Sequence, residues 1–388
     1  MPDDSENQDS LEGIFQGEIS STLESGTRTK FKPWHKPRKH FVRLYQWCYE
    51  TRQLLKRLKP GDDGELRYLG LPGEDLLDIR VLQGVCQKFK VKLRYIGFDS
   101  SLTSAQLNLS RHEVNSGNFI HPSSVVTSDR LEELGSLDSM AYQNIDRHSP
   151  FDVINLDLCD SVTASAQDGI IPNLEAIRTL CDVQIKRRGQ PWLLFLTTRA
   201  IRENLDQKTT QLLFDRLLKN ISENSGFSAT LNSKLKLNEA QIKSEMEATA
   251  SLNKQGWLSA YVLAVSKWLL HYMMANGYVV TVRMLPSYSY SVRRDDRDMV
   301  SLAFLLEPAS LLREDDTQLT KRRQTVVPAA SEIQLAEELV DQIARIEDID
   351  EKLNLDSELK LKMFKKCGAL LSTLRYDMVA YRDFAAAD

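Results

Sequence analysis

Short apolar runs and helical repeats alternate along residues 38–308. The apolar runs have the length of strands and lie at 66–71, 92–98, 151–158, 191–198, 278–285 and 299–307. Between them, apolar residues recur with helical spacing over 39–58, 73–89, 174–187, 202–222 and 257–275. Continuous apolar strands separated by helices are typical of a parallel sheet covered on both faces. The pattern therefore predicts an α/β fold with a mostly parallel sheet, closed by an antiparallel pair of the last two strands.

The two ends of the chain differ in composition from this central part. Residues 1–26 hold seven acidic residues and neither lysine nor arginine, which predicts a solvated, flexible arm. Beyond Pro308 the sequence predicts a charged linker and two helices, the first over 330–346 with one apolar stripe and the second over 357–375. We therefore expect three regions: an N-terminal arm over 1–37, an α/β domain over 38–308 with a polar insertion at 223–255, and a linker with a helical appendage over 309–388.

The overall composition predicts a cytoplasmic protein with a packed core. Hydrophobic residues make up 42% of the 388 residues, which excludes wholesale disorder. The five cysteines never have CxxC spacing and the six histidines lack metal-ligand spacing, so neither a disulfide framework nor a metal site is predicted. The first residues lack a signal pattern, and polar residues interrupt the apolar stretch 257–275, which predicts a buried helix and no membrane contact.

Residues 28–43, the basic stretch, form the strongest local charge feature of the chain. The net charge of −4 gives no overall preference for polyanions, but the basic stretch holds seven lysine and arginine residues without one acid. Cations beside aromatic rings are typical of sites that bind phosphates and stack bases. The residues predicted to contact nucleic acid are Lys30, Lys32, Trp34, Lys36, Arg38, Lys39 and Arg43. Two alternatives remain open: the stretch docks the acidic arm, or Trp34 anchors it on the domain.

Candidate ligand-binding residues follow the predicted strands. Gly70-Leu71-Pro72-Gly73 comes after the first strand, and Asp99 comes after the second. Ligands of open parallel sheets bind outside the carboxyl ends of the strands, where a glycine turn lets the backbone approach a ligand. An acid at the next strand end accepts hydrogen bonds from ribose hydroxyls. These residues predict a nucleoside pocket; the alternative is a tight turn at the glycines and a helix cap at Asp99.

The order of these features resembles the class I S-adenosylmethionine-dependent methyltransferases. The resemblance rests on strand, glycine-rich turn, helix, strand and aspartate, followed by FDVINLDLCD, WLLFLTT and an antiparallel strand pair, over residues 38–308. It implies a Rossmann-like fold with S-adenosylmethionine as cofactor, bound by Gly70, Pro72, Gly73 and Asp99. It also implies that Asp157 faces the substrate, with Asp157 or Asp160 deprotonating or orienting the methyl acceptor. The alternative places Asp157 as a helix cap and Asp160 in solvent.

Two functions of different kinds follow from this pattern. The first is an S-adenosylmethionine-dependent methyltransferase that acts on or binds nucleic acid, although 155–161 lacks the Asn/Asp-Pro-Pro-aromatic signature of amino-group DNA methylation. The second is an inactive scaffold of the same fold, because Arg67-Tyr68-Leu69 stands where that family has an acid. Such a scaffold recruits a protein partner through its C-terminal helices or a nucleic acid through the basic stretch. A different nucleotide-binding α/β enzyme is a third hypothesis, since glycines with an aspartate do not identify the ligand.

Overall fold

The computed structural model describes most of the chain between residues 27 and 387. The described residues are 27–61, 64–100, 105–164, 171–202, 207–247, 254–274, 280–292, 297–308 and 330–387. The predicted flexible arm over 1–26 and the charged linker over 313–323 lie outside the described residues.

Eight strands form one sheet in the part of the chain that the structure describes. They are β1 (Glu65–Gly70), β2 (Lys92–Phe98), β3 (Val125–Thr127), β4 (Val153–Asp157), β5 (Trp192–Arg199), β6 (Val280–Tyr290), β7 (Met299–Pro308) and β8 (Glu347–Asp348). Their order is β3-β2-β1-β4-β5-β7-β6-β8. Strands β1 to β5 pair in parallel, whereas β7 runs antiparallel to both β5 and β6. The predicted Rossmann-like α/β fold with a terminal antiparallel pair is confirmed.

Helices cover both faces of this sheet. Before β1 the chain forms α1 (Pro37–Val42), a π-helical segment (Arg43–Cys48) and α2 (Tyr49–Leu58) without a break. The helices that follow are α3 (Leu77–Phe89), α4 (Ala105–Asn115), α5 (Met140–His148), α6 (Pro172–Arg187), α7 (Gln207–Glu223), α8 (Ser225–Leu235), α9 (Glu239–Glu247), α10 (Lys254–Met274), α11 (Glu332–Ile343), α12 (Ile349–Leu355), α13 (Ser357–Ser372) and α14 (Met378–Ala386). Apolar side chains at helical spacing form one core on each face of the sheet.

Several elements differ from their predicted extent. The helix predicted from 73 begins at Leu77, because Gly73 and Leu76 adopt positive φ angles of 63° and 51° in the turn before it. The strand predicted to end at 285 continues to Tyr290, since the residues over 287–290 are buried. The predicted polar insertion contains α8 and α9, whose buried Phe227 and Ile242 join the core.

The C-terminal helices complete both cores. Strand β8 pairs with β6 at one edge of the sheet. The apolar stripe predicted for 330–346 is confirmed in α11, where Leu339 and Val340 are buried in one core. Met363 and Leu371 of α13 are buried in the other core. Among the described residues, none of the helices has the length and apolarity needed to cross a membrane.

Candidate functional site

A cavity of about 220 Å³ lies at the carboxyl ends of the parallel strands. Strand β1 has β2 on one side and β4 on the other, so the chain changes direction across the sheet at this point. Such a switch point leaves a crevice beyond the strand ends, where open α/β sheets bind their ligands. The cavity is lined by the loop after β1, the ends of β4 and β5, the β6–β7 hairpin and the helical segment before β1.

The loop after β1 contributes Pro72 and Gly73 to the cavity. Gly73 has a φ angle of +63°, which an L side chain rarely adopts, and a Cβ built there meets no atom within 4 Å. The backbone of Gly73 is therefore open to a ligand. Pro72 packs against β2, where a Cβ on Gly97 would lie 2.8 Å from the proline ring.

The space beside Gly70 is filled by a tyrosine ring of the protein itself rather than by the predicted ligand. A Cβ at Gly70 would lie 2.6 Å from Cε1 of Tyr68, whose ring is 1% exposed. The Tyr68 hydroxyl donates to Oδ2 of Asp78 at 2.5 Å and accepts a hydrogen bond from Nδ2 of Asn155 at 3.0 Å. The missing side chain of Gly70 thus makes room for a fixed tyrosine ring, and Gly70 does not line the cavity.

Replacing Gly70 with alanine is expected to lower the free energy of unfolding by about 2 kcal/mol, because the added methyl group overlaps the Tyr68 ring. Urea unfolding of the two proteins measures the difference. Gly189→Ala is the matched control, since a Cβ there meets nothing within 4 Å and φ is not positive. Equal stability of Gly70→Ala and the wild type would show that Tyr68 is free to move.

Asp78, Tyr68 and Asn155 were not among the predicted site residues. Asp78 lines the cavity and is 5% exposed. Burial raises its pKa, and the hydrogen bond from Tyr68 only partly opposes this effect. The Oδ1 atom of Asn155 is buried without a hydrogen-bond partner. The one available signal in the sequence was Tyr68 itself, which stands two residues before Gly70, in the stretch where the family that the sequence resembles has an acid.

Asp157 lies at the cavity in an ion pair with a buried lysine. Nζ of Lys39 lies 2.5 Å from Oδ1 of Asp157, donates to the Tyr290 hydroxyl at 3.1 Å and sits 4.7 Å from the Trp47 ring centroid. Burial alone lowers the pKa of Lys39, but the Asp157 charge and Tyr290 outweigh it, so the pKa lies above the ordinary value. The ion pair with Lys39 therefore holds the Asp157 carboxylate in a fixed position at the cavity.

Lys39, Arg43 and Trp47 reach the cavity from the helical segment before β1. They are spaced by four residues, and the π-helical segment from Arg43 to Cys48 lies between the last two. Residues four apart lie on one side of such a helical segment, and π-helical segments occur often at functional sites. Both basic residues are 4% exposed.

Arg43 is a buried cation with little compensation. Its Nη1 donates to the carbonyl oxygen of Trp34 at 2.9 Å. Its Nε is buried without a hydrogen-bond partner. Across the described ranges, no carboxylate forms an ion pair with its guanidinium group. A buried guanidinium group with an unused donor at a cavity is suited to hold an anion.

Residues 28–36, the strap, cover the cavity and are fastened at Asp75. The Asp75 carboxylate accepts hydrogen bonds from Arg28 at 2.6 Å, His35 at 3.0 Å and the Tyr376 hydroxyl at 2.9 Å. Burial raises the pKa of Asp75, but the hydrogen bonds from His35 and Arg28 lower it to about 2. Phe31 stacks on Tyr376 with ring centroids 5.2 Å apart. Within the strap, Pro33 and Trp34 contact the cavity.

The predicted nucleic-acid residues are divided between three environments. Lys30, Lys32 and Trp34 are exposed, with Trp34 36% exposed. Lys36 donates to the Phe384 carbonyl at 2.6 Å, and Arg38 pairs with Asp350 at 3.0 Å. The remaining two, Lys39 and Arg43, line the cavity. Nucleic-acid binding by the exposed residues stays a prediction, and docking of the acidic arm concerns residues outside the described part.

Asp99 and Asp160 lie apart from the cavity. Asp99 follows β2, is half-buried, and its backbone N–H donates to the Thr127 carbonyl at 3.0 Å. The Asp160 side chain is 59% exposed and lies 3.8 Å from Nε of Arg199. The structure therefore brings Pro72, Gly73 and Asp157 together at the cavity, without Gly70, Asp99 and Asp160.

Cys159 provides an exposed thiol in the cavity lining. The other cysteines, Cys48, Cys86, Cys181 and Cys367, are buried. Over the residues that the structure describes, no group of three or more histidine, cysteine, aspartate or glutamate side chains could hold a metal ion. Because Cys159 is exposed whereas the other four cysteines are buried, a thiol reagent reports on ligands in the cavity through Cys159.

Comparison with known proteins gives a family and one similar structure. A family model described as PP_RS20740-like matches residues 28–386. No curated protein matches the sequence. Among solved structures, the chain is similar to the X-ray structure of YjhP from E. coli, with 11% sequence identity and a TM-score of 0.26. The match covers 67% of this chain and 92% of that chain.

Proposed function

The chain belongs to the PP_RS20740-like family, and we propose that it is a methyltransferase-fold protein that binds S-adenosylmethionine and methylates an acceptor held in the cavity. One observation carries this proposal. The cavity lies at the switch point between β1 and β4, bordered by the glycine loop and by Asp157, where the resemblance to class I methyltransferases implies the reacting groups.

The residues around the glycine loop fit the methionyl end of this cofactor. The Gly73 backbone is open at the cavity, and Pro72 beside it completes the wall against which the methionyl end would lie. Asp99 would hold the ribose hydroxyls at the end of β2. S-adenosylmethionine supplies a sulfonium methyl group, which an acceptor lone pair takes while the carbon–sulfur bond breaks and sulfur keeps the electron pair.

The chain's own residues would orient the acceptor and exclude water. Asp157, held by Lys39, presents carboxylate oxygens to the cavity, and the strap covers the opening with Pro33 and Trp34. Alignment of reactants in a closed site supplies much of the rate of such a transfer. Asp157 acts here as a positioning group, since its charge is already balanced by Lys39.

The second candidate, an inactive scaffold of the same fold, is favoured by Tyr68. Its ring occupies the space over Gly70 and is fixed by hydrogen bonds to Asp78 and Asn155. A cofactor that lies against Gly70 has to displace this ring. Since the C-terminal helices belong to both cores, a truncation before α11 would unfold the protein and cannot test the scaffold.

Binding of S-adenosylmethionine and S-adenosylhomocysteine, measured by calorimetry, separates the two candidates. We expect the wild type to bind both, and Asp99→Ala to weaken binding about tenfold, because the ribose hydroxyls lose their acceptor. Asp160→Ala is the matched control, since Asp160 is exposed and outside the cavity lining. Absence of binding by the wild type would favour the scaffold, and equal affinity of Asp99→Ala would remove Asp99 from the site.

A further inference from the structure

The cavity lies on one side of the predicted cofactor position. Its lining comes from the ends of β1, β4 and β5 and from the β6–β7 hairpin, whereas β2 and β3 contribute no lining residue among those described. Asp99, the predicted ribose ligand, stands at the end of β2. The cavity therefore extends away from the predicted adenosine position, toward β4, β5 and the β6–β7 hairpin.

Arg43 stands out among the charged residues of this lining. Lys39 is paired with Asp157, Asp75 with Arg28, and Arg199 with Asp298. Arg43 donates one hydrogen bond, from Nη1 to the neutral carbonyl of Trp34, and its buried Nε has no partner. Asp78, the remaining carboxylate of the lining, accepts a hydrogen bond from Tyr68 and forms no ion pair with Arg43, so the Arg43 guanidinium keeps an unused donor at the cavity.

We propose that Arg43 binds the carboxylate of a small molecule in this cavity. A guanidinium group holds a carboxylate through two parallel hydrogen bonds, and the Nε of Arg43 is free to donate one of them. The apolar neighbours Trp47, Leu77 and Met299 suit an apolar body. A cavity of about 220 Å³ covered by the strap accommodates a small molecule and not a polynucleotide. The identification of this molecule as the methyl acceptor rests on the proposed function. The existence of the carboxylate site is independent of that function.

Alkylation of Cys159 by N-ethylmaleimide tests the site in the full-length protein. The probes are formate, acetate and benzoate, and each is compared with its neutral amide. Formate is included because an acid this small fits the cavity whatever its shape. We expect the acids to slow alkylation and the amides to leave it unchanged. In Arg43→Met, the acid concentration for half-maximal protection should rise about thirtyfold, through loss of a charged hydrogen-bonded pair.

Two further variants control for damage to the fold. Arg38 lies on the same helical segment, but it pairs with Asp350 outside the cavity lining. Arg38→Met should therefore retain full protection of Cys159 by the acids. The melting temperature of ligand-free Arg43→Met should equal or exceed that of the wild type, because a buried uncompensated charge is removed. Arg43→Gln keeps a donor for the Trp34 carbonyl and should show the same loss of protection if Arg43→Met does not fold.

Four results would overturn the proposal. Equal protection by acids and amides, or unchanged protection in Arg43→Met, would show that no carboxylate binds Arg43. Weaker S-adenosylhomocysteine binding in Arg43→Met, without protection by any acid, would assign the carboxylate to the cofactor. Protection by a single-stranded oligonucleotide alone would assign the cavity to nucleic acid. Protection by acids in a protein that fails to bind S-adenosylhomocysteine overturns only the proposed function.

Discussion

Replacing Lys39 with methionine is expected to lower the free energy of unfolding by about 3 kcal/mol. Methionine fills much of the same volume but leaves Asp157 without its counter-ion at the cavity, and an uncompensated charge there is costly. The Asp157 side chain is 24% exposed, so water partly solvates the carboxylate that is left without its partner. The expected loss of stability is therefore at the lower end of the range for breaking a buried ion pair. Urea unfolding at neutral pH measures it.

The double variant Lys39→Met with Asp157→Leu separates charge from packing. We expect it to regain most of the lost stability, because neither charge is left in the site. Lys219→Met is the exposed control: Lys219 pairs with Glu223 at 3.8 Å, both side chains are more than half exposed, and the change should stay below about 1 kcal/mol. If Lys39→Met and Lys219→Met cost the same, the Lys39–Asp157 pair does not form in solution.

Replacing Asp75 with alanine is expected to cost about 3 kcal/mol and to release the strap. Three donors lose their acceptor, and two of them, His35 and Tyr376, are at most 4% exposed, so their polar atoms become buried without partners. Urea unfolding measures the stability. Faster tryptic cleavage within the strap measures its release, with Glu223→Ala as the exposed control.

The same aspartate predicts a dependence of stability on pH. The pKa of Asp75 is lowered to about 2 in the folded protein from an ordinary value of 3.8, so the folded state favours the ionised form. Its contribution of about 2 kcal/mol is fully present above pH 4 and is lost as the pH falls from about 4 to 2. Asp75→Ala should lack this part of the acid transition. An unchanged pH profile between pH 2 and 4 would show that Asp75 is not held by its three donors.

Local patterns in the sequence located the strands and the place of the site. Strand β2 has its predicted bounds, and Asp157 and Gly73 are at the cavity because strand ends in a parallel sheet meet at one edge. From the sequence, Lys39 and Arg43 are expected at the surface as nucleic-acid contacts, because charged residues are rarely buried without partners. Their spacing of four residues with Trp47 was the signal that all three share one helix face.

Other parts of the site depend on contacts that no local pattern reveals. The fastening at Asp75 joins two residues of the strap, Arg28 and His35, to Tyr376, which lies 301 positions from Asp75. The tyrosine ring over Gly70 depends on Asp78 and Asn155, which come from a helix and another strand. Hydrogen bonds between distant positions are set by the packed fold, so pocket shape could not be derived from periodicity.

The strap has a consequence for how the protein is made. Lys36 donates to the carbonyl of Phe384, which the ribosome adds 348 residues later, and Arg28 pairs through its backbone with Arg375 and Asp377. Chains begin to fold from the N-terminal side during translation. The strap can therefore be fastened at this end only after the last helices have left the ribosome, later than the strands that line the cavity.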